Sequence, residues 1–458
     1  MELYQLRRVC VTVITCIALF TALSAWGGTD GSEPSVQARL FGYGCYQYGQ
    51  IVKGQYAHAP SPPAPVFGRL NHYSIQQAVV QIGGEVKRNN GFSVILSCQG
   101  RLYFPFALPT DGAGQGGFQS YSPYYSWTIH EAEIKYAAGN IESPFVTISA
   151  GLFPFKYNPD VRTFGDYLMR INPIPQFFRT SFDSPYASLL GICVNSTYMP
   201  FISEEILKLS HDLMLTSEIH LWPLKDYSLS YLLNTTLFKF ADIGCGIMAD
   251  RLFAIDDTVT KPPRADNPGR FRFGGTKVMV RLAFDFKRFL PFRELWGEND
   301  WRIYSEACWN GIKNQPADSN APANLQPGYS DLKKRLPVVF GINVPTCKLL
   351  DVLSVEGEWW DNDYANSYWA VFNVGYNMPP NPYRYLQGGN RIDPYGGPWH
   401  WSIYAKKTIA SNIRIAAQVG RDHTFIETSF SGLSNGDPQE CMDGKGNWGW
   451  MAKIEYGF

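Results

Sequence analysis

The ionisable side chains best suited to catalysis lie in two close pairs. Glu131 and Glu133 are separated by a single residue, and paired carboxylates can act as general acid and base. His423 directly follows Asp422, and lipid-hydrolysing sites use a histidine with an orienting polar partner beside a serine. Neighbouring residues of an extended strand point to opposite faces, so Asp422 is not expected to orient His423. The chain is therefore not predicted to be an enzyme.

Metal-binding patterns give equally little support for chemistry. Nine cysteines are present, and Cys10 and Cys16 precede the cleavage site proposed below, which leaves seven. Those seven are far apart and lack the short paired spacing of zinc sites. Asp361, Asn362 and Asp363 resemble the start of a calcium loop, but the remaining ligand positions do not follow. The sequence predicts neither a metal site nor a cofactor.

Polar and apolar residues alternate with a period of two through most of the chain after residue 70. Val280 and Leu282, for example, alternate with Arg281 and Asp285. Successive side chains of a strand point to opposite faces, so each run predicts a strand with one apolar and one polar face. A soluble β-sandwich has the same alternation, but its strands usually have about 5 or 6 residues. Many runs here reach about 9 to 11 residues, the length that crosses a bilayer.

These runs predict an all-β protein, a transmembrane antiparallel up-and-down β-barrel of about sixteen strands, with fourteen to eighteen allowed. The strands are expected near 39–50, 74–87, 91–103, 127–138, 145–153, 188–198, 211–222, 227–237, 240–252, 276–287, 300–309, 336–344, 348–360, 398–408, 412–425 and 448–458. Long and short connections alternate along the chain, as external loops and periplasmic turns should. Three connections depart from this rule: 223–226 is short for a loop, and 199–210 and 288–299 are long for turns.

Composition agrees with a surface that is partly in lipid. Charged residues are 17% of the 458 residues, against about 25% in typical soluble proteins. Aromatic residues are 15%, and tyrosine and tryptophan favour the membrane–water interface. The formal net charge is +0, which gives no basic surface for a nucleic-acid partner.

The N-terminus is typical of a secretory signal peptide. Arg7 and Arg8 precede an apolar run, Val9–Phe20, and small residues then lead to Ala25. We predict a signal peptide at 1–25, a short extension at 26–38 and the barrel at 39–458.

The last strand has aromatic and apolar residues at alternate positions up to the final residue. This pattern resembles the terminal strand of bacterial outer-membrane barrels, which ends in phenylalanine. The resemblance implies the outer membrane as location, its lipid as surroundings and the barrel-assembly machinery as a partner. The residues expected to form the assembly signal are Trp450, Ile454, Tyr456 and Phe458.

A second resemblance concerns Val146–Phe155, which is similar to a strand of the general porin superfamily that ends in a glycine and a Pro-Phe pair. In that family the third long loop folds into the barrel and narrows the pore, and 154–187 is the third long loop here. The residues expected at the constriction are Lys156, Arg162, Asp166, Arg170, Arg179 and Asp183. Their mixed charge leaves the ion preference open.

The alternation of side chains along each strand assigns further charged residues to the barrel interior, where we interpret them as a solvated wall. They are Glu131, Glu133, Lys135, Glu218, Lys277, Arg281, Asp285, Arg302, Glu306, Arg414 and Asp422. The function predicted is passive diffusion of small polar solutes, and assembly as a homo-oligomer is compatible with it. Two alternatives stay open: an anchoring barrel whose loop aromatics, among them Trp359 and Trp360, bind polysaccharide, and a lipid-modifying barrel enzyme.

Overall fold

The computed structural model describes most of the chain from residue 36 onward. The described residues are 36–58, 66–69, 71–103, 124–139, 144–169, 178–179, 187–198, 206–219, 225–255, 275–312, 332–360, 386–387, 390–391, 398–427, 438–440, 442 and 444–457. Among them, no helix is long and apolar enough to cross a membrane.

Sixteen strands close into one antiparallel barrel, which confirms the predicted fold class and strand count. They are β1 (Val36–Lys53), β2 (Tyr73–Arg88), β3 (Phe92–Tyr103), β4 (Tyr124–Gly139), β5 (Pro144–Phe155), β6 (Ala187–Tyr198), β7 (Leu207–Ser217), β8 (Tyr227–Leu237), β9 (Ala241–Phe253), β10 (Gly275–Asp285), β11 (Arg302–Trp309), β12 (Val338–Asn343), β13 (Val352–Trp359), β14 (Trp399–Ala410), β15 (Ile413–Arg421) and β16 (Trp448–Gly457).

Each strand pairs with its neighbours in the sequence, and β1 pairs with both β2 and β16 to close the ring. Tyr43 lies opposite Gly457, and Gln50 lies opposite Trp450, so the closing pair is in register along most of its length. Closure leaves no free sheet edge in the barrel, which is the condition for strands to cross lipid.

The strand β7 corrects one predicted boundary. It begins at Leu207 and ends at Ser217, whereas the alternation suggested 211–222. The hairpin to β8 explains the shift, because Ser217 pairs with Tyr227 and the backbone N–H of Glu218 donates to the carbonyl of Asp226. The connection 218–226 is therefore longer, and 199–206 shorter, than the sequence suggested, so two of the three exceptions to the alternation are reduced.

The third exception has its own local structure. Two 3-10 turns, Phe286–Phe289 and Arg293–Leu295, occupy the connection between β10 and β11. The Asp285 carboxylate accepts a hydrogen bond of 3.0 Å from the backbone N–H of Lys287 and caps the first turn. This connection is thus a folded segment at the same end of the barrel as the short turns and the C-terminal end of β16.

The two faces of the wall differ as predicted. On β10, Val280 and Leu282 are each 43% exposed on the outer face, whereas Arg281 is 7% exposed on the inner face. Apolar residues also occupy the outer faces of the other strands, such as Ile134, Phe340, Ile403 and Ile454. An outer surface of this kind is suited to lipid, where charged side chains are costly.

The interior is less polar than the sequence suggested. The inner faces of β6 to β12 carry apolar residues that pack into a core: Cys193, Met214, Leu232, Met248, Met279, Tyr304 and Val339. The residues that cover them come from the connection after β5, chiefly Tyr157, Val161, Phe164 and Leu168. About half of the inner wall is therefore a packed protein interior rather than a water-facing surface. A second cluster lies on the inner faces of β1, β2 and β13 to β16 and includes Ile51, Tyr73, Tyr404 and Met451.

Candidate functional site

The connection after β5 turns back into the barrel. Residues 156–169, called the inner loop below, contact the inner faces of strands far along the chain. Two left-handed residues, Gly165 with φ 91° and Asp166 with φ 57°, reverse the backbone beside Glu306. A Cβ at residue 165 would lie 2.7 Å from the side chain of Val161, so glycine permits both the φ angle and the close approach.

Glu306 of β11 is the first anchor of the inner loop. Its carboxylate accepts hydrogen bonds from the hydroxyl of Tyr157 and, at 2.7 Å, from Nδ2 of Asn158. It also accepts from the backbone N–H groups of Asp166 at 3.0 Å and Tyr167 at 2.9 Å. Four donors on one buried carboxylate satisfy most of its acceptor capacity, which is what allows the charge to be buried.

Glu356 of β13 is the second anchor. It accepts from the consecutive backbone N–H groups of Arg162 at 2.6 Å, Thr163 at 2.8 Å and Phe164 at 3.1 Å. The hydroxyl of Tyr304 donates to the same carboxylate at 2.7 Å. Successive amides that converge on an anion form a nest, so the loop backbone is shaped around this side chain.

A third carboxylate, Glu358 of β13, lies between the inner loop and two histidines. Its Oε1 accepts from the hydroxyl of Tyr167 at 2.5 Å. Its Oε2 contacts Nε2 of His423 and lies 3.6 Å from Nδ1 of His400. The two imidazole centroids are 4.4 Å apart, and the ring of Phe164 meets His423 edge-on at 5.8 Å.

An ion-pair fork holds the inner loop at Asp160. Arg302 of β11 donates to both oxygens of Asp160, with one distance of 2.9 Å, and to Oδ2 of Asp242 at 2.5 Å. On the far side, the hydroxyl of Thr163 contacts Gln418 of β15 at 3.3 Å. The inner loop is therefore attached to the wall from β9 to β15.

Burial controls the protonation of the two loop tyrosines. Desolvation, followed by repulsion from Glu306, holds the pKa of Tyr157 well above its usual value. Desolvation and the neighbouring Glu358 raise the pKa of Tyr167 in the same way. Both hydroxyls therefore keep their protons at neutral pH and act as hydrogen-bond donors to the carboxylates.

Three of the six residues expected at the constriction lie in the described part of this loop. Lys156 Nζ donates to the carbonyl of Val161 at 2.7 Å, and the Asp166 carboxylate accepts from the N–H of Asn158 at 3.0 Å. These two side chains thus stabilise the loop itself. Arg162 is half-buried, and its guanidinium contacts the carbonyl of Pro159 at 3.3 Å.

Of the other three, only Arg179 has a described backbone. Arg179 belongs to a short strand, Phe178–Arg179, that pairs with Phe425–Glu427 after β15. Arg170 and Asp183 lie outside the described residues. Their position relative to a passage stays a prediction.

The predicted interior residues divide into two groups. The first group contacts the inner loop or lies buried among the strands next to it, and includes Arg302 and Glu306 above. Lys277 is 1% exposed and lies 3.8 Å from Asp250, and Arg281 donates to Asn234 at 3.0 Å. Asp285 caps the 3-10 turn described above. These side chains are largely held by protein partners.

The second group has its ion-pair or hydrogen-bond partners on the strands and strand ends. Lys135 pairs with Glu133 at 2.8 Å, with Glu131 on the same strand, and Arg414 pairs with Glu455 at 3.2 Å. Two residues lie near the ends of strands beside long connections. Glu218 is 3.7 Å from Arg251, and Asp422 accepts from Gln418 at 2.8 Å.

One part of the inner wall is lined by polar side chains, and we call it the polar strip. It comprises Tyr43 and Gln47 of β1, Gln77 and Gln81 of β2, Ser97 and Gln99 of β3, Glu133 and Lys135 of β4, and Lys453 and Glu455 of β16. Its charges are paired: Lys453 lies 2.5 Å from Glu455, whose carboxylate also accepts from Tyr43 at 2.9 Å. The strip therefore carries little net charge.

Sequence reasoning missed the anchors on β13. Glu356 and Glu358 were not singled out, although their alternation with Val355 and Gly357 places them on the inner face. The partner of His423 was also missed, because Glu358 is 65 positions away in the sequence. Only closure of the barrel brings β13 and the segment after β15 together.

The fold and the inner loop define a class: a closed sixteen-stranded antiparallel barrel with residues 156–169 folded inside, a porin-like architecture. Comparison with solved structures gives low-identity matches along nearly the whole chain. OmpF of Salmonella typhi, in complex with daunomycin, is 11% identical, with 93% of this chain and 98% of that chain covered and a TM-score of 0.44. OprB of Pseudomonas putida is 10% identical, with 92% and 94% covered and a TM-score of 0.42.

A Rhodopseudomonas blastica porin triple mutant is 11% identical, with 92% of this chain and all 100% of that chain covered and a TM-score of 0.37. No protein-family model and no curated protein matches the chain. Identities and TM-scores this low concern barrel architecture alone, so function is argued from the chain's own residues.

Proposed function

We propose that the chain forms a passive diffusion channel in a bacterial outer membrane. The observation that carries this proposal is the inner loop. It is bound to one side of the barrel by Glu306, Glu356 and Glu358, and it faces a polar strip on the other side. A loop held this way narrows a sixteen-stranded barrel without interrupting the strand ladder, and a barrel of that size has room for an aqueous passage.

The charges near the passage suggest weak ion selectivity. The polar strip contains paired lysine and glutamate side chains together with glutamines, and the inner loop contributes Arg162. A wall of glutamines and lysine–glutamate pairs is suited to small polar solutes, because it has no large excess of positive or negative charge and no dominant apolar surface. Arg162, Arg170 and Arg179 with Lys156, Asp166 and Asp183 remain the proposed constriction set.

Planar-bilayer recording of the refolded protein tests the proposal directly. Steady single-channel conductance, together with swelling of liposomes in small sugars, is the expected result. A barrel that inserts, shows heat-modifiable migration on a gel and conducts no ions would overturn it. That second outcome would favour an anchoring barrel.

The enzyme alternative has a discriminating residue. Gly432-Leu433-Ser434-Asn435-Gly436 has the Gly-x-Ser-x-Gly spacing of a nucleophile turn, and it lies outside the described residues. In α/β-hydrolases that turn joins a strand to a helix, whereas this segment lies between two short strands, Phe425–Glu427 and Pro438–Glu440, that pair with each other outside the barrel sheet. A phospholipase assay of Ser434→Ala against wild type addresses this alternative; we expect no activity in either protein.

The membrane location and partners follow from the outer surface and the last strand. We propose that residues 1–25 direct export, that outer-membrane lipid surrounds the apolar outer face, and that the barrel-assembly machinery recognises the terminal strand. Homo-oligomerisation is compatible with this arrangement, and cross-linking in native membranes would measure it.

A further inference from the structure

Two histidines and a glutamate converge on the inner wall. Glu358 of β13 and His400 of β14 lie directly opposite each other in the strand ladder, and His423 follows the end of β15. One ligand atom from each of the three side chains lies within 4.8 Å of the other two. Glu358 and His400 are buried, and His423 is partly buried.

The arrangement around Glu358 separates its two oxygens. Oε1 accepts the hydroxyl of Tyr167 at 2.5 Å, whereas Oε2 faces both imidazoles. The hydrogen bond from Tyr167 to Oε1 fixes the orientation of the carboxylate, so Oε2 points at the two histidines. Ligating carboxylates in metalloproteins are commonly hydrogen-bonded in this way.

The donor set selects a class of ion. Two imidazole nitrogens and one carboxylate oxygen suit zinc and related divalent transition metals, whereas calcium and magnesium prefer sites made of oxygen alone. Ligand bonds of about 2.0–2.1 Å in a tetrahedral site place the ligand atoms roughly 3.3 Å apart. The 3.6 Å separation of Glu358 and His400 is close to that value. The direct contact between Glu358 and His423 is shorter, so binding of the ion requires rotation of these two side chains to replace that contact.

We propose that Glu358, His400 and His423 bind one divalent transition-metal ion of the zinc class inside the barrel. The fourth position is left for water. The edge of Phe164 and the hydroxyl of Tyr167 lie against the same three side chains, so the bound ion also fastens the inner loop to β13 and β14. Binding depends on the barrel fold and not on channel activity.

Isothermal titration of the refolded, detergent-solubilised protein with Zn²⁺ tests the site, with Co²⁺ as a spectroscopic probe. Wild type should bind one ion per chain, and the Co²⁺ complex should show the visible bands of a four- or five-coordinate nitrogen and oxygen site. His400→Ala and His423→Ala should each weaken binding by at least about tenfold, and the double variant should abolish it.

His211→Ala is the matched control, because His211 lies on β7 beside Tyr231 and far from the cluster. It should bind Zn²⁺ like wild type. Tyr167→Phe retains all three ligands, so one ion should still bind, with lower affinity. Heat-modifiable migration establishes that each variant is folded. Absence of one-to-one binding in folded wild type, or binding unchanged in the folded double variant, would overturn the proposal.

Discussion

Tyr157 donates its hydroxyl to Glu306 across 149 positions of sequence, and this contact joins the inner loop to the middle of β11. Three other donors from the same loop converge on the same carboxylate. The side chain of Glu306 alternates with Ser305 and Ala307 in the strand and looks like one more lumen charge in the sequence. In the structure it is the residue around which the loop folds.

Removal of Glu306 should release the inner loop while the barrel stays closed. Glu306→Ala leaves four buried donors without their acceptor, and an unsatisfied buried donor costs about 1–3 kcal/mol. We expect higher single-channel conductance and more frequent fluctuations between levels. Glu294→Ala, which removes a carboxylate from the 3-10 turn between β10 and β11, is the control. Identical traces for both variants and wild type would show that the loop does not limit the passage.

Alkaline pH should release the loop as well. The pKa values of Tyr157 and Tyr167 are raised above 10.0 in the docked loop, so the docked state holds its protons more tightly than the released state. Docking is therefore fully stable below pH 10 and weakens as the pH rises above it. Conductance should be constant from neutral pH to about 9 and increase above 10. The Tyr157→Phe/Tyr167→Phe variant should lack this increase, and an equal increase in that variant would rule the tyrosines out.

The two faces of β10 give a test of membrane insertion. Leu282→Arg places a charge on the outer face and should cost roughly 2–4 kcal/mol of folding free energy in lipid. Arg281→Leu changes a side chain on the inner face, where its main loss is the hydrogen bond to Asn234, so the cost should be near 1 kcal/mol. Denaturant titration of refolding into lipid vesicles measures both. Equal costs would mean that the two faces do not differ in their contact with lipid.

The barrel itself was predictable because each strand is specified by the alternation of adjacent residues. Alternation such as that of Val280, Arg281 and Leu282 is visible in the sequence, and sixteen such runs imply closure. What alternation cannot locate is a register change. Ser97 pairs with Glu131 but Cys98 pairs with Ile129, so His130 is an extra residue in β4. The alternation between inner and outer side chains therefore shifts by one residue at His130, and no sequence pattern marks that position.

The inner core and the histidine cluster were not predictable for a different reason. Met214 and Met279 occupy inner positions that a water-filled barrel would make polar, and they are buried because the inner loop covers them. Glu358 meets His423 only after the ring closes. Contacts between distant parts of the chain depend on how the loop folds inside the barrel. The sequence indicated which residues form the loop, 154–187, but not which strands they contact.

The terminal strand predicts an assembly defect. On β16, Ile454 and Tyr456 are exposed on the outer face, while Lys453 and Glu455 face inward, as the sequence suggested. Phe458 itself lies outside the described residues. Deletion of Phe458 should reduce the folded fraction in cells, because the assembly machinery is expected to read this strand. Refolding of the purified protein into detergent should change little, since the described pairing of β1 with β16 already extends to Gly457. Normal folding in cells would count against the assembly signal.

Removal of positive charge from the inner loop should change ion selectivity. The guanidinium of Arg162 is half-buried, and the backbone of this residue is fixed by Glu356. A charge in a constriction of low dielectric acts on passing ions more strongly than one in bulk water. We therefore expect Arg162→Gln, alone and with Arg170→Gln and Arg179→Gln, to move the reversal potential in a salt gradient toward cation preference. Lys407→Gln removes the same charge from an exposed strand end and should leave the potential unchanged. Glutamine keeps the backbone hydrogen bonds to Glu356, so conductance and heat-modifiability should stay near wild type. A reversal potential that does not move in the triple variant would place these arginines outside the conducting path.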